Sequence, residues 1–496
     1  MSLLKQFSKD TIAYGLGSGI KKFIGLLLLP IYTRALSPAD FGILDTLGAG
    51  LFFITTFFNF GLNTASGYFF FKPQDEKEKG KILFTVFILR LSVIIPAIAL
   101  SFFAKPLSNL LFDSDSYSNV ILITCLLVPA NMLMSEQELI YRFYRNVWGY
   151  NLLTIVKSLV NITAGILLVV QFRLGVYGAQ MASLVSTVIV VLVSLIFYSR
   201  RKYNYQFSFD WARKMLRFGF PLIWAGMAVW IYSVSDRFIL LHFRDTTEIG
   251  YYSIGSTFAQ PLGLISMAVQ MSFGVLFWAT FHGELDSDKP KSKKAISDVV
   301  ILFVAVAGVL TLFLSIFSGE LVRFITTPEY LKGIVVIPIL LMCSIYAQLV
   351  EIIPVGITIS EKTYHYTWII VTAAMTNLLL NFMIIPYFGY FGAALTTLAA
   401  YILYYILSDV ISSRYFNSSY PRFKVNTYLS IVLAISLFFP IMEIYNNQHY
   451  SLVIKVLVFF ASLSLPFIFR IINRKQVYSL ATEIVAMSKR LRNKTN

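Results

Sequence analysis

Long apolar runs recur along this chain so closely that lipid, not water, must be the solvent of most of its surface. About 20 mainly apolar residues carry an α-helix across a bilayer. Fourteen such runs can be read, centred near residues 24, 54, 93, 128, 161, 186, 227, 261, 306, 342, 375, 400, 435 and 461. Lipid offers backbone amides no partner, so only helices or closed barrels cross it. Runs of this length lack the alternating polarity of barrel strands. Hydrophobic residues make up 57% of the chain and charged residues 13%, with a mean hydropathy of +0.71. That balance excludes a soluble globular class. The expectation is an all-α integral membrane protein of about fourteen transmembrane helices.

The net charge of +16 would suggest nucleic acid in a soluble protein. Here the basic residues concentrate in alternate loops, among them Lys72, Lys77, Lys79 and Lys81, then Arg200, Arg201 and Lys202, then Lys289, Lys291, Lys293 and Lys294. The intervening loops hold only Lys105, Arg173, Arg244, Arg323 and Lys332. The positive-inside rule then places both termini in the cytoplasm of a multi-pass plasma (inner) membrane protein, and no nucleic-acid partner is expected. Cys125 and Cys343 each lie inside an apolar run and read as core residues. The first run is long and follows Lys5 and Lys9, so no cleavable signal peptide is expected.

Internal repetition organises the chain. PIYTRALSPADFGILDTLG at 30–48 is echoed within 218–255, where Glu248-Ile249-Gly250 stands 208 residues after Asp40-Phe41-Gly42. LGVYGA at 174–179 is echoed by FGYFGA at 388–393. Six helices separate the copies, which predicts two parallel six-helix lobes around a central cavity, 1–205 and 206–415. Two extra helices occupy 416–475, before a basic cytoplasmic tail at 476–496. Such repeats commonly enclose a site that opens alternately to either side.

PIYTRALSPADFG, the SDRF of 235–238 followed by EIGYYSIG, and NLLLNFMIIPYFGYFGAALTT at 377–397 occur in order at corresponding helices. With these motifs the chain resembles the polysaccharide flippases, the Wzx-type or O-antigen transporters of the multidrug/oligosaccharidyl-lipid/polysaccharide exporter superfamily. The resemblance implies translocation of an undecaprenyl-diphosphate-linked oligosaccharide from the inner to the outer leaflet, in lipopolysaccharide or related polysaccharide biosynthesis. It also implies the glycan lipid and the bilayer as partners, with a polysaccharide polymerase or assembly protein alongside. A lipid II flippase and a multidrug/cation antiporter are the alternatives within the superfamily; a membrane glycosyltransferase or polymerase is the rival outside it.

Charges deep in a bilayer are costly and usually face a bundle interior or watery cavity. Lys21, Lys22, Arg90 and Lys157 lie well inside their runs, and Arg237 sits nearer an outer helix end. Together they predict a cationic cavity for a diphosphate, since arginine binds phosphate bidentately and lysine as a point charge. Asn161, Ser233 and Gln260, at helical spacing with other polar or small residues, predict a polar wall for sugars. Snorkelling or interhelical hydrogen bonding is the structural counter-reading, and for Asp236 beside Arg237 an ion pair is favoured. Glu351, with Asp45 second, is the candidate for ion coupling.

No Gly-rich phosphate loop with a following Lys and Ser/Thr is present, and the four histidines are scattered without ligand spacing. No catalytic residue, metal site or cofactor is expected: the chain reads as a transporter.

Overall fold

The computed structural model describes residues 19, 28–281, 289–362, 364–416, 420–445, 450–469 and 471. The described residues form an all-helical protein: α1 (28–35), α2 (Pro38–Phe58), α3 (Leu62–Phe70), α4 (Glu76–Leu91), α5 (Ile94–Ser101), α6 (Ala104–Phe112), α7 (Ser118–Phe143), α8 (Val147–Gly165), α9 (Gly175–Phe197), α10 (Phe209–Phe243), α11 (Thr246–Phe281), α12 (Lys289–Ile316), α13 (Ser318–Ile325), α14 (Ile337–Ile352), α15 (Val355–Ile359), α16 (Tyr364–Tyr415), α17 (Arg422–Tyr445), α18 (Leu452–Ser462) and α19 (Leu465–Ile468). Among the described residues, ten helical segments are long and apolar enough to cross a membrane, with the shorter apolar Leu452–Ile468 beside them. Ten is fewer than the fourteen runs of the sequence. The centre of the run near 24 lies outside the described residues, those near 375 and 400 both fall within α16, that near 461 is the shorter Leu452–Ile468, and that near 261, in α11, is not among the ten.

Two compact units are present among the described residues. One gathers the chain up to Thr257 with Val322–Gly333 and Thr367–Ala400; the other holds Phe258–Leu321, Ile334–Tyr366 and Tyr401 onward. In the first, α7 packs against α9 and α2, α8 against α9, and α10 against α2 and α3. In the second, α12 packs against α14, α17 and α18. Lys455 is buried there between Glu320, 2.7 Å away, and Glu443, 3.4 Å away.

Prolines act as their positions dictate. Pro129, Pro221, Pro261 and Pro440 lie inside helices, where each removes one backbone donor. Pro338 and Pro354 sit at helix starts, where that missing N–H has no helical partner to lose. α16 breaks at Gly389 (φ 53°, ψ −137°), three residues after Pro386. A side chain at Gly389 would also overlap the Glu248 carboxylate, which accepts the Tyr390 N–H at 2.9 Å.

The 208-residue echo is visible in three dimensions. Ser37 caps α2, its hydroxyl accepting the Asp40 N–H at 3.2 Å while Asp40 accepts the Ser37 N–H at 3.0 Å. This is a capping box. In the second copy Asp245 accepts the Glu248 N–H at 2.9 Å, at the same two positions of the repeat. The two capped starts then press together: a Cβ on Gly42 would overlap the Thr246 carbonyl, and one on Gly250 would overlap the Pro38 carbonyl. Each glycine meets the other copy's counterpart of its own neighbour, so the contact is reciprocal. From there α2 and α10 run antiparallel. Asp45 meets Arg237, the Trp230 indole N–H donates to the Ala49 carbonyl at 2.9 Å, and Gly226 faces Thr56.

Candidate functional site

Two adjoining chambers of about 460 Å³ each open within the first unit. The first lies among α1, α2, α7, α8 and α9, with Tyr32, Asn131, Lys157, Ser158, Asn161, Gln180, Ser183 and Thr187 on its wall. The second lies among α2, α3 and α7, lined by Thr55, Thr56, Asn59, Asn63, Ser135 and Glu138. Gly48, Leu51, Asn131 and Lys157 line both, so these residues form the junction. Lys157, Ser158 and Asn161 reach the wall because i, i+1 and i+4 of α8 fall on one side of the helix. The opposite flank of α8 carries exposed Leu152 and Leu159.

The local sequence explains the opening. A Cβ on Gly48 would meet nothing within 4 Å, whereas one on Gly165 would lie 2.5 Å from the Tyr32 hydroxyl. One glycine therefore leaves space and the other lets α1 press onto α8. Much of the wall's polarity is already committed to backbone: Thr55 donates to the Leu51 carbonyl, Ser135 to the Asn131 carbonyl and Thr187 to the Ser183 carbonyl. The side-chain amides and Lys157 bring the stronger N–H donors to the wall. Gly48→Leu is expected to fold as the wild type does, since open space receives the side chain, yet to block any cargo using the junction. A thermal unfolding midpoint no lower than the wild type's, with transport lost, would bear this out.

Of the residues predicted from sequence, Lys157 and Asn161 line the chambers. Arg90 does not: it is fully buried behind the second chamber, donating to the Met132 carbonyl at 2.8 Å and to Asn63 at 2.5 Å. Nearby Glu136 accepts the Tyr203 hydroxyl at 3.1 Å, and Gln137 accepts the Ser194 hydroxyl at 2.8 Å. Burial first, and then the Glu136 charge, hold the Tyr203 phenol above its ordinary range, which keeps it protonated as the donor. Arg90 Nε, Glu136 Oε2 and Gln137 Nε2 have no protein partner among the described residues.

Arg237 is drawn into a different cluster. It bonds Asp236 at 2.8 Å and Asp45 at 3.1 Å, and its guanidinium lies 4.7 Å above the Tyr252 ring. Tyr252 in turn donates to Asp236 at 2.7 Å, and the Ser233 carbonyl accepts from Arg237 at 3.2 Å. The face of α10 that carries Gly226, Trp230 and Arg237 is thus the face that packs on α2. Asp45 is bound to this cluster. Gln260 and Glu351 lie in the other compact unit and are exposed. Lys21 and Lys22 lie outside the described residues.

Several wall residues carried no sequence prediction: Asn59, Asn63, Asn131 and Gln180. Asn59 and Asn63 stand i, i+4 apart, a signal hidden because the Gly61 turn (φ 64°) separates α2 from α3.

The sequence model of a family described as polysaccharide biosynthesis protein matches residues 7–282. A putative O-antigen transporter from Escherichia coli (strain K12) is 22% identical over 399 residues, covering 79% of this chain and 93% of that protein. Among solved structures, the lipid II flippase MurJ in an inward closed conformation aligns with a TM-score of 0.70 at 17% identity, covering 92% of this chain and 98% of its own. The MATE multidrug transporter DinF-BH aligns with a TM-score of 0.59 at 14% identity, covering 84% and 97%. The two structural likenesses establish a shared helical fold. With more than half of its length matched by the family model, this multi-pass membrane chain belongs to the polysaccharide biosynthesis protein family.

Proposed function

We propose that the protein is a flippase, not an enzyme, moving an undecaprenyl-diphosphate-linked oligosaccharide from the cytoplasmic to the outer leaflet of the plasma membrane. The observation that carries this reading is Lys157, set at the junction of two amide- and hydroxyl-lined chambers inside a transporter fold. A diphosphate entering such a space loses water, and an anion without a partner is strongly disfavoured there. Lysine offsets that cost as a point charge and, lacking a fixed fork, lets the anion leave again. Asn161 and the neighbouring amides suit sugar hydroxyls.

Alternating access would follow from the two repeats, 1–205 and 206–415, with 416–475 as an added hairpin and both termini cytoplasmic. Lys21 and Lys22 would extend the cationic path, and Glu351 or Asp45 would take the coupling ion. A polysaccharide polymerase would receive the cargo outside.

The test is reconstitution in liposomes with a fluorescent lipid-diphosphate-linked oligosaccharide, followed by quenching from outside. The wild type should expose the label, Lys157→Ala should do so far more slowly, and Lys157→Glu should be slower still because it repels the diphosphate. Movement of lipid II but not of oligosaccharide lipid would replace this reading with a lipid II flippase. Export of hydrophobic cations, with neither lipid moved, would make the protein a drug antiporter.

A further inference from the structure

Asn63 occupies a position that its chemistry makes directional. Its side-chain oxygen accepts from Arg90 Nη2, while the residue itself is exposed on the wall of the second chamber. Arginine has donors and no acceptor, so the oxygen of this amide must face Arg90. The amide nitrogen, with two N–H groups, is therefore turned away from the guanidinium. A hydrogen bond from a charged donor also polarises the amide and strengthens the donors on its far side. Arg90 is fully buried and cannot itself reach cargo in the chamber; Asn63 stands between them.

Building on the flippase reading above, we propose that Asn63 donates an N–H to a phosphate oxygen of the lipid-linked substrate, and that Arg90 is the positioning residue that aims it. Phosphate is the better match than a sugar hydroxyl because it only accepts, and this chamber offers N–H donors at Asn63 and Lys157. Thr55 and Ser135 have already given their hydroxyl hydrogens to backbone carbonyls. The Glu138 carboxylate on the same wall has a cationic neighbour, Arg142, 3.8 Å away.

Asn63→Asp separates this role from a structural one. A carboxylate accepts from Arg90 at least as well as an amide does, so the buried guanidinium keeps its partner. The group turned toward the chamber changes from a donor to an anionic acceptor. The full-length protein in detergent is to be titrated with undecaprenyl diphosphate, with thermal unfolding followed in parallel. Asn63→Asp should hold or raise the unfolding midpoint and weaken binding about tenfold or more, the order expected for losing one charge-assisted bond. Acidification should restore its binding relative to the wild type at the same pH, because a protonated carboxyl regains a donor. Asn63→Ala removes the donor without adding charge and should also weaken binding, with a lower midpoint because Arg90 loses a partner. If either variant binds as tightly as a binding wild type, this assignment is overturned and Asn63 is structural. A wild type that binds no undecaprenyl diphosphate overturns the flippase reading and this assignment with it.

Discussion

Arg237→Ala is expected to lower the stability of the folded protein by about 3–5 kcal/mol, the range found when one partner of a buried ion pair is removed. The side chains of Asp236 and Arg237 are 4% and 10% exposed, so water would compensate little for the loss. Asp236 would keep the Tyr252 hydroxyl, but a carboxylate in that setting still lacks its cation. Asp45, at 25% exposure, would suffer less. Arg237→Lys should fall between, because an ammonium can replace one of these bonds but not the fork that serves both acids. The double variant Asp236→Asn with Arg237→Gln should be more stable than Arg237→Ala alone, since it removes the buried charge along with its partner. Thermal unfolding of purified protein, and the amount accumulating in membranes, would read the series. A wild-type melting curve for Arg237→Ala would show that the cluster contributes nothing to the fold.

Much of the architecture was legible because lipid imposes a simple rule on sequence. A run of about 20 apolar residues leaves the backbone no choice but helix, so helical class and run positions follow from hydropathy. Lys157 and Asn161 were legible as well, since a polar stripe at helical spacing inside such a run must face something other than lipid. The role of Arg90 was not. Depth in the membrane is readable from sequence, whereas the difference between facing a cavity and standing behind its wall depends on Asn63 and Met132, 27 and 42 residues away in the chain. Arg237 shows the same boundary: its neighbour Asp236 was foreseeable, but Asp45 lies 192 residues away. The repeat gave a partial route to that contact, because it marked α2 and α11 as counterparts without saying that they touch.

That touch sets the second large effect. Gly42→Ala and Gly250→Ala are each expected to destabilise the protein by about 1–3 kcal/mol, the usual cost of overpacking. In each case the added methyl would run into backbone, Thr246 or Pro38, and not into a side chain that can turn aside. The starts of α2 and α11 would have to move apart, disturbing the nearby Tyr330 hydroxyl, which donates to the Leu36 carbonyl at 2.8 Å. Because the contact is reciprocal, the two changes should not add. Once one methyl has separated the helices, the second meets a gap already opened, and the double variant should cost clearly less than the sum. Gly48→Ala is the internal control on the same helix. Its methyl meets nothing within 4 Å, so helix propensity alone acts, and a gain of roughly 0.5–1 kcal/mol is expected. Thermal unfolding of the four proteins beside the wild type decides the matter. If Gly42→Ala melts like Gly48→Ala, the two capped helix starts do not meet backbone to backbone, and the 208-residue echo has lost its structural meaning at this point.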